Sequence, residues 1–160
     1  MATAQKNLSV FSTRGISGME DKRFSIVVSE WNTEVTEALF SGAVETLVQL
    51  GVQKKNIIRT DVPGSFELSL GAQWQAQKDD VDAVICLGCV IQGETRHFDF
   101  ICDAVANGIT QVNLKYDKPV VFGVLTTDNQ KQALDRAGGR HGNKGDEAAA
   151  TAVKMLTIKR

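Results

Sequence analysis

The chain reads as an α/β protein: a three-layer α/β/α sandwich on a four-stranded, mainly parallel sheet. Two observations predict this. Four short apolar runs rich in Val and Ile alternate with segments of helical periodicity, which is the pattern of strands joined by crossover helices. Three of the strand-to-helix junctions carry turn-forming or capping residues, at Trp31-Asn32, Pro63-Gly64 and Gln92-Gly93. In a parallel sheet such turns share one end, where ligands bind.

Residues 1–22 are polar and weakly periodic, and are predicted to be an N-terminal arm. Leu8, Val10 and Phe11 give that arm something to pair with, including a neighbouring subunit. Residues 23–160 are predicted to form one domain. Its first strand is Arg23 to Ser29. Trp31 and Asn32 make the turn, and Asn32 or Thr33 caps the next helix. From Glu34 to Leu50 the residues Val35, Leu39, Ala43, Leu47 and Leu50 repeat at helical spacing, and Gly51 ends the helix. Asn56 to Val62 is the second strand, stopped by Pro63-Gly64, and the second helix runs to about Gln77.

The third strand is Ala83 to Cys89. After the Gln92-Gly93 turn, Glu94 and Thr95 open a helix that reaches about Leu114. Pro119 to Leu125 is the fourth strand. Thr126, Thr127 and Asp128 offer caps for a helix from Asn129 to Ala137. The glycine-rich segment Gly138 to Gly145 interrupts, and a last helix spans Asp146 to Thr157.

With 160 residues, 42% of them hydrophobic and 23% charged, one ordinary globular core is expected. The net charge of −1 and the lack of a basic run argue against a nucleic-acid or anionic-membrane partner. No apolar stretch approaches the roughly 20 residues needed to span a bilayer. The first fifteen residues lack a secretory apolar core. Three cysteines are an odd, sparse set for a secreted scaffold. A cytoplasmic protein with reduced thiols is expected.

Several residues can carry chemistry. His97 lies in the first turn of the third helix and can shuttle a proton near neutral pH; a surface or helix-packing histidine fits the same spacing. Gly93 permits close backbone approach to a phosphate at that helix end. Ser65 and Glu67 come after the second strand, where Glu67 can accept from sugar-like hydroxyls or simply favour a helix start. Trp31 can stack on a flat ring or sit at the core edge, and Phe122 has core as its default. Arg136, Arg140, His141 and Lys144 stand among glycines that suit an anion or a solvated connection, but the spacing is not a phosphate-binding P-loop. Cys86-x-x-Cys89 falls in a strand, where residues three apart face opposite ways, so burial rather than redox or metal chemistry is expected.

These pieces in this order, VVSEWN (27–32), VPGSFEL (62–68), GCVIQGETRHFD (88–99) and FGVLTTDNQKQALDRAGGRHGNKGDEAA (122–149), resemble the lumazine synthases of riboflavin biosynthesis. The likeness runs from about residue 23 to the end. Without it, the residues lead only to a flavodoxin-like, phosphate-ligand domain.

The resemblance implies condensation of 5-amino-6-(D-ribitylamino)uracil with 3,4-dihydroxy-2-butanone 4-phosphate, without metal or organic cofactor. It places Trp31 on the pyrimidine ring, where the family often has Phe, and Asn32 at the ring's edge. Ser65, Phe66 and Glu67 hold the ribityl chain, while Val90 and Ile91 border the ring system. Gly93, Glu94 and Thr95 receive the phosphate; Glu94 replaces a small residue and must point away. His97 moves protons. Phe122, Arg136 and Lys144 reach the pocket from a neighbouring subunit, with Arg136 on the phosphate and Lys144 near the pyrimidine carbonyl. Pentamers are implied, and the lack of an insertion in GGRHGNKG favours a shell of twelve pentamers. Riboflavin synthase is an implied partner. The alternative is a non-catalytic lumazine- or flavin-binding or cage-forming paralogue, against which the presence of both His97 and Arg136 speaks.

Overall fold

A computed structural model describes residues 7–158. The outermost ends of the predicted arm and domain, residues 1–6 and 159–160, lie outside the described residues. Four strands form one parallel sheet in the order β2-β1-β3-β4. They are β1 (Phe24–Ser29), β2 (Ile57–Val62), β3 (Ala83–Ile91) and β4 (Val120–Thr127). Both central strands, β1 and β3, are buried along most of their length. That is why they read as continuous apolar runs rather than alternating ones.

Each face of the sheet has its own core. On one face Phe24, Ile26, Val28, Ile85, Leu87 and Cys89 meet α1 (Thr33–Gln49) and α5 (Lys144–Ile158). On the other Val27, Val84 and Cys86 meet α2 (Leu68–Ala76) and α3 (His97–Tyr116). Cys86 and Cys89 thus face opposite layers, as the two-residue period of a strand requires.

The arm is not loose where it is described. Met19 is buried in the first core, and Phe11 and Ile16 pack against it. The Leu8 N–H donates to the His141 carbonyl at 2.8 Å, and the Ser9 hydroxyl accepts from the Asn143 N–H at 3.0 Å. The arm is docked on its own chain because it brings apolar side chains to an otherwise open core edge.

Two further expectations change. β3 continues two residues past Cys89 because β4 extends alongside it, pairing Ile91 with Thr127. Accordingly α3 starts at His97 rather than Glu94, and residues 93–95 form the turn before it. The predicted helix from Asn129 to Ala137 is only α4 (Gln130–Leu134), capped by the Asn129 side chain, which accepts from the Gln132 N–H at 2.9 Å. A short antiparallel pair comes next, β5 (Ala137–Gly139) and β6 (Gly142–Asn143). Gly138 at φ 104 and Gly142 at φ 80 adopt the left-handed region, which ends helical continuation and turns the chain back.

α1 and α5 cross closely at Gly145. A Cβ there would drive into the Leu39 carbonyl oxygen and carbon, which are backbone and cannot yield. Gly145→Ala is expected to cost about 2 kcal/mol. Urea unfolding checks this: the midpoint falls while the slope stays unchanged.

Candidate active site

The chain runs from β1 to β2 on one side and then crosses to β3 on the other, so connections diverge at β1. Such a switch point opens a crevice beyond the strands' carboxyl ends. Here that crevice has a volume of about 350 Å³. Its walls come from two turns and a strand end: Trp31 and Asn32 after β1, Gly64 to Glu67 after β2, and Cys89 to Ile91 at the end of β3. His97 and Ile101, one helical turn apart on α3, close it.

Trp31 is 73% exposed, so the indole is not a core-edge aromatic in this chain. Phe66 is also exposed, at 56%. Two bare aromatic surfaces beside one cleft suit a flat, partly apolar ligand. Gly64 lies between the polar and aromatic walls: a Cβ on it would stand 3.0 Å from Glu67 Oε2 and 3.8 Å from the Trp31 ring. Within hydrogen-bonding reach, the Glu67 carboxylate has no partner among the described residues. It is available to accept from ligand hydroxyls.

The expected caps of α1 are not formed. Asn32 stands at φ 60, ψ 46 and its side chain makes no cap. Instead its Nδ2 donates to the Cys89 carbonyl at 2.9 Å, while the Thr33 hydroxyl donates to the Glu30 carbonyl at 2.7 Å. Ser65 is buried, and its hydroxyl donates to the Cys89 carbonyl at 3.4 Å.

Gly93, Glu94 and Thr95 are exposed in the turn leading to α3. A Cβ on Gly93 would meet nothing within 4 Å, so the chain's own packing leaves that side of the turn open. The Thr95 hydroxyl accepts from the His97 N–H at 3.4 Å, tying the turn to the helix start. The His97 N–H is thus used within the turn, and the Asp99 N–H donates to the Arg96 carbonyl at 3.0 Å.

Phe122, Arg136 and Lys144 are not walls of this crevice. Phe122 and Lys144 line a second hollow of about 340 Å³ on the β4 side of the chain. There Lys144 Nζ pairs with Glu147 Oε2 at 2.5 Å. Arg136 is beside Lys144, its carbonyl accepting the Lys144 N–H at 2.9 Å. The Arg136 guanidinium donates to the Gln132 carbonyl at 3.0 Å. Among the described residues no carboxylate pairs with it. The predicted set is thus divided into three groups on one chain: an aromatic and polar crevice, the exposed turn at residues 93–95, which is not part of the crevice lining, and a cationic corner elsewhere.

The Cys89 carbonyl and Ile101 are not among the residues predicted from sequence. Ile101 lies four residues after His97, so helical spacing could have found it. Nothing in a sequence marks a main-chain carbonyl as an acceptor. Burial pushes the Cys86 thiol up to about 12 and the Cys89 thiol up to about 11. Folding therefore disfavours both thiolates, so their contribution to stability is intact below the ordinary thiol value and falls as pH rises through it. Neither thiol is expected to react with a disulfide reagent at pH 8 in the native protein, whereas both react in denaturant.

Among the described residues no group of three or more His, Cys, Asp or Glu could hold a metal ion. No helix among them is long and apolar enough to cross a membrane.

The sequence profile of the family described as 6,7-dimethyl-8-ribityllumazine synthase matches residues 21–160. A protein of that name from Cytophaga hutchinsonii is 69% identical over 156 residues, covering 98% of each chain. One from Flavobacterium johnsoniae is 54% identical, over 99% of this chain and 84% of its own. Another, from Parabacteroides distasonis, is 53% identical over 99% of each.

Proposed function

The chain belongs to the 6,7-dimethyl-8-ribityllumazine synthase family, and on that premise we propose that its crevice is one half of an active site completed by an adjacent protomer. It condenses 5-amino-6-(D-ribitylamino)uracil with 3,4-dihydroxy-2-butanone 4-phosphate, releasing phosphate and water. That activity replaces the alternative of a binding-only or cage-only paralogue. The observation that carries the site reading is the crevice itself, in which Trp31, Glu67 and His97 share one cavity.

In this reading the pyrimidine stacks on Trp31, with Asn32 at its edge and Val90 and Ile91 bordering the ring. The ribityl chain lies along Ser65, Phe66 and Glu67. Its hydroxyls donate to the Glu67 carboxylate. The ketose phosphate sits at the Gly93-Glu94-Thr95 turn, against its backbone N–H groups and the Thr95 hydroxyl, with Glu94 turned to solvent. Arg136 of the adjacent protomer holds the phosphate, and that protomer's Lys144 and Phe122 approach the pyrimidine.

The reaction sequence uses these groups in order. The substrate amine adds to the ketone, and loss of water gives an imine. Both steps move protons near neutral pH, which is the task of His97. Loss of a carbon-bound proton beside the imine expels the phosphate, whose growing negative charge is stabilised by Arg136 and the positive end of α3. Attack of the ribitylamino nitrogen on the remaining carbonyl closes the ring with loss of a second water. Much of the rate gain comes from bringing two substrates together.

Self-association supports the completed pocket. Leu70, Trp74, Phe100, Leu114 and Met155 are exposed apolar side chains on α2, α3 and α5. They suit a closed ring of protomers, read here as a pentamer. The compact β5–β6 hairpin, with no added residues, favours twelve such rings in a shell. Riboflavin synthase, which consumes the product, is the expected partner, in the cytoplasm.

Titrating the pyrimidine substrate alone into the protein tests the site. Quenching of Trp31 emission is expected, and it is lost in Trp31→Phe. Substrate saturation unchanged in Trp31→Ala would contradict the stacking role.

A further inference from the structure

Two turns that shape the crevice are fastened to one atom. The Asn32 amide and the Ser65 hydroxyl both donate to the Cys89 carbonyl, at 2.9 Å and 3.4 Å. A carbonyl oxygen has two lone pairs and can accept both. Cys89 itself closes the buried part of β3, immediately before Val90 and Ile91. One peptide group therefore joins the ends of β1, β2 and β3 where they meet the ligand space.

The surroundings are built around this knot. Asn32 holds a left-handed backbone conformation at φ 60, which Asn tolerates better than most residues. With that geometry its side chain turns away from α1 toward β3. The Ser29 hydroxyl donates to the Trp31 carbonyl at 3.3 Å, holding the main chain of the turn that carries the exposed indole. On the other turn, Ser65 fits only because residue 88 is glycine. A Cβ there would lie 2.7 Å from the Ser65 hydroxyl and 2.8 Å from Leu68.

We infer that Asn32 and Ser65 are positioning residues that act through the Cys89 carbonyl, coupling the Trp31 turn to the Phe66–Glu67 turn. Loss of one bond lets the Cys89 peptide tilt and weakens the other. The aromatic wall and the polyol-binding wall thus move together. The substrate consequence rests on the crevice reading above, whereas the knot itself is measurable without ligand.

The test uses a Trp74→Phe background, because Trp31 and Trp74 are the two tryptophans. Anisotropy and acrylamide quenching of Trp31 are read in the full-length, ligand-free protein. Asn32→Gly keeps the backbone conformation and removes the amide; Ser65→Ala removes the hydroxyl on the other turn. Each is expected to lower anisotropy and increase quenching. With substrates, each raises KM for the ribitylaminouracil about fivefold, the size of one hydrogen bond, with kcat nearly unchanged. The double variant raises it by less than the product of the two, as coupled sites do.

Ser65→Ala leaving ligand-free Trp31 unchanged would overturn the coupling, as would a multiplicative double variant. A ligand-free change accompanied by unaltered KM supports the knot and removes the crevice as the pyrimidine site. Asn32→Asp supplies a second check on the amide: it keeps a side chain of the same shape, cannot donate when ionised, and is expected to behave like Asn32→Gly.

Discussion

Arg136→Ala is expected to raise KM for the ketose phosphate by about 10- to 100-fold, the range for losing a charge-assisted hydrogen bond. Saturation by the ribitylaminouracil should be nearly unaffected. The reason is geometric. Arg136 has no carboxylate partner among the described residues and is anchored to the Gln132 carbonyl, so its charge is left for a ligand rather than for the fold. Steady-state kinetics with each substrate varied in turn gives the answer. An unchanged phosphate-substrate KM would remove Arg136 from the phosphate site.

His97→Ala is expected to lower kcat about 100-fold, near the small end of what a positioned acid–base group contributes. Both KM values should change little. His97 is the first residue of α3 and lines the same crevice as Trp31, so the proposed reaction puts its imidazole within reach of the reacting atoms. Residual turnover is expected because positioning of two substrates survives the substitution. A variant with full turnover would assign proton transfer elsewhere.

The layout is readable from the sequence where one physical rule dominates. Buried parallel strands must be continuous apolar runs, so Ile26, Val27 and Val28, or Val84 to Leu87, announce themselves. The period of two is enough to separate Cys86 from Cys89, and the two lie in different cores. The Gly64 to Glu67 wall of the crevice is also legible, because Pro63-Gly64 interrupts the chain where β2 ends.

Other features depend on partners far away in sequence. The β5–β6 pair replaces a helix because Gly138 and Gly142 turn the chain back and because residues 7–9 dock on it. The arm reads as loose since its own periodicity is weak, yet Met19 is buried in a core assembled by β1, α1 and α5. Asn32 reads as a cap, but its amide has its acceptor 57 residues away, on a carbonyl. Phe122, Arg136 and Lys144 join the crevice residues only through the resemblance; on a single chain none of them lines the crevice.

That separation makes the proposal of a pocket shared between protomers directly measurable. His97→Ala and Arg136→Ala proteins, each of low activity at limiting ketose phosphate, are dissociated, mixed in equal amounts and reassembled. In randomly mixed rings about a quarter of the pockets pair an intact His97 with an intact Arg136 from the neighbour. Recovery of about a quarter of wild-type lumazine formation is predicted on that basis, and a mixture no more active than the average of its two components would contradict a pocket shared between protomers.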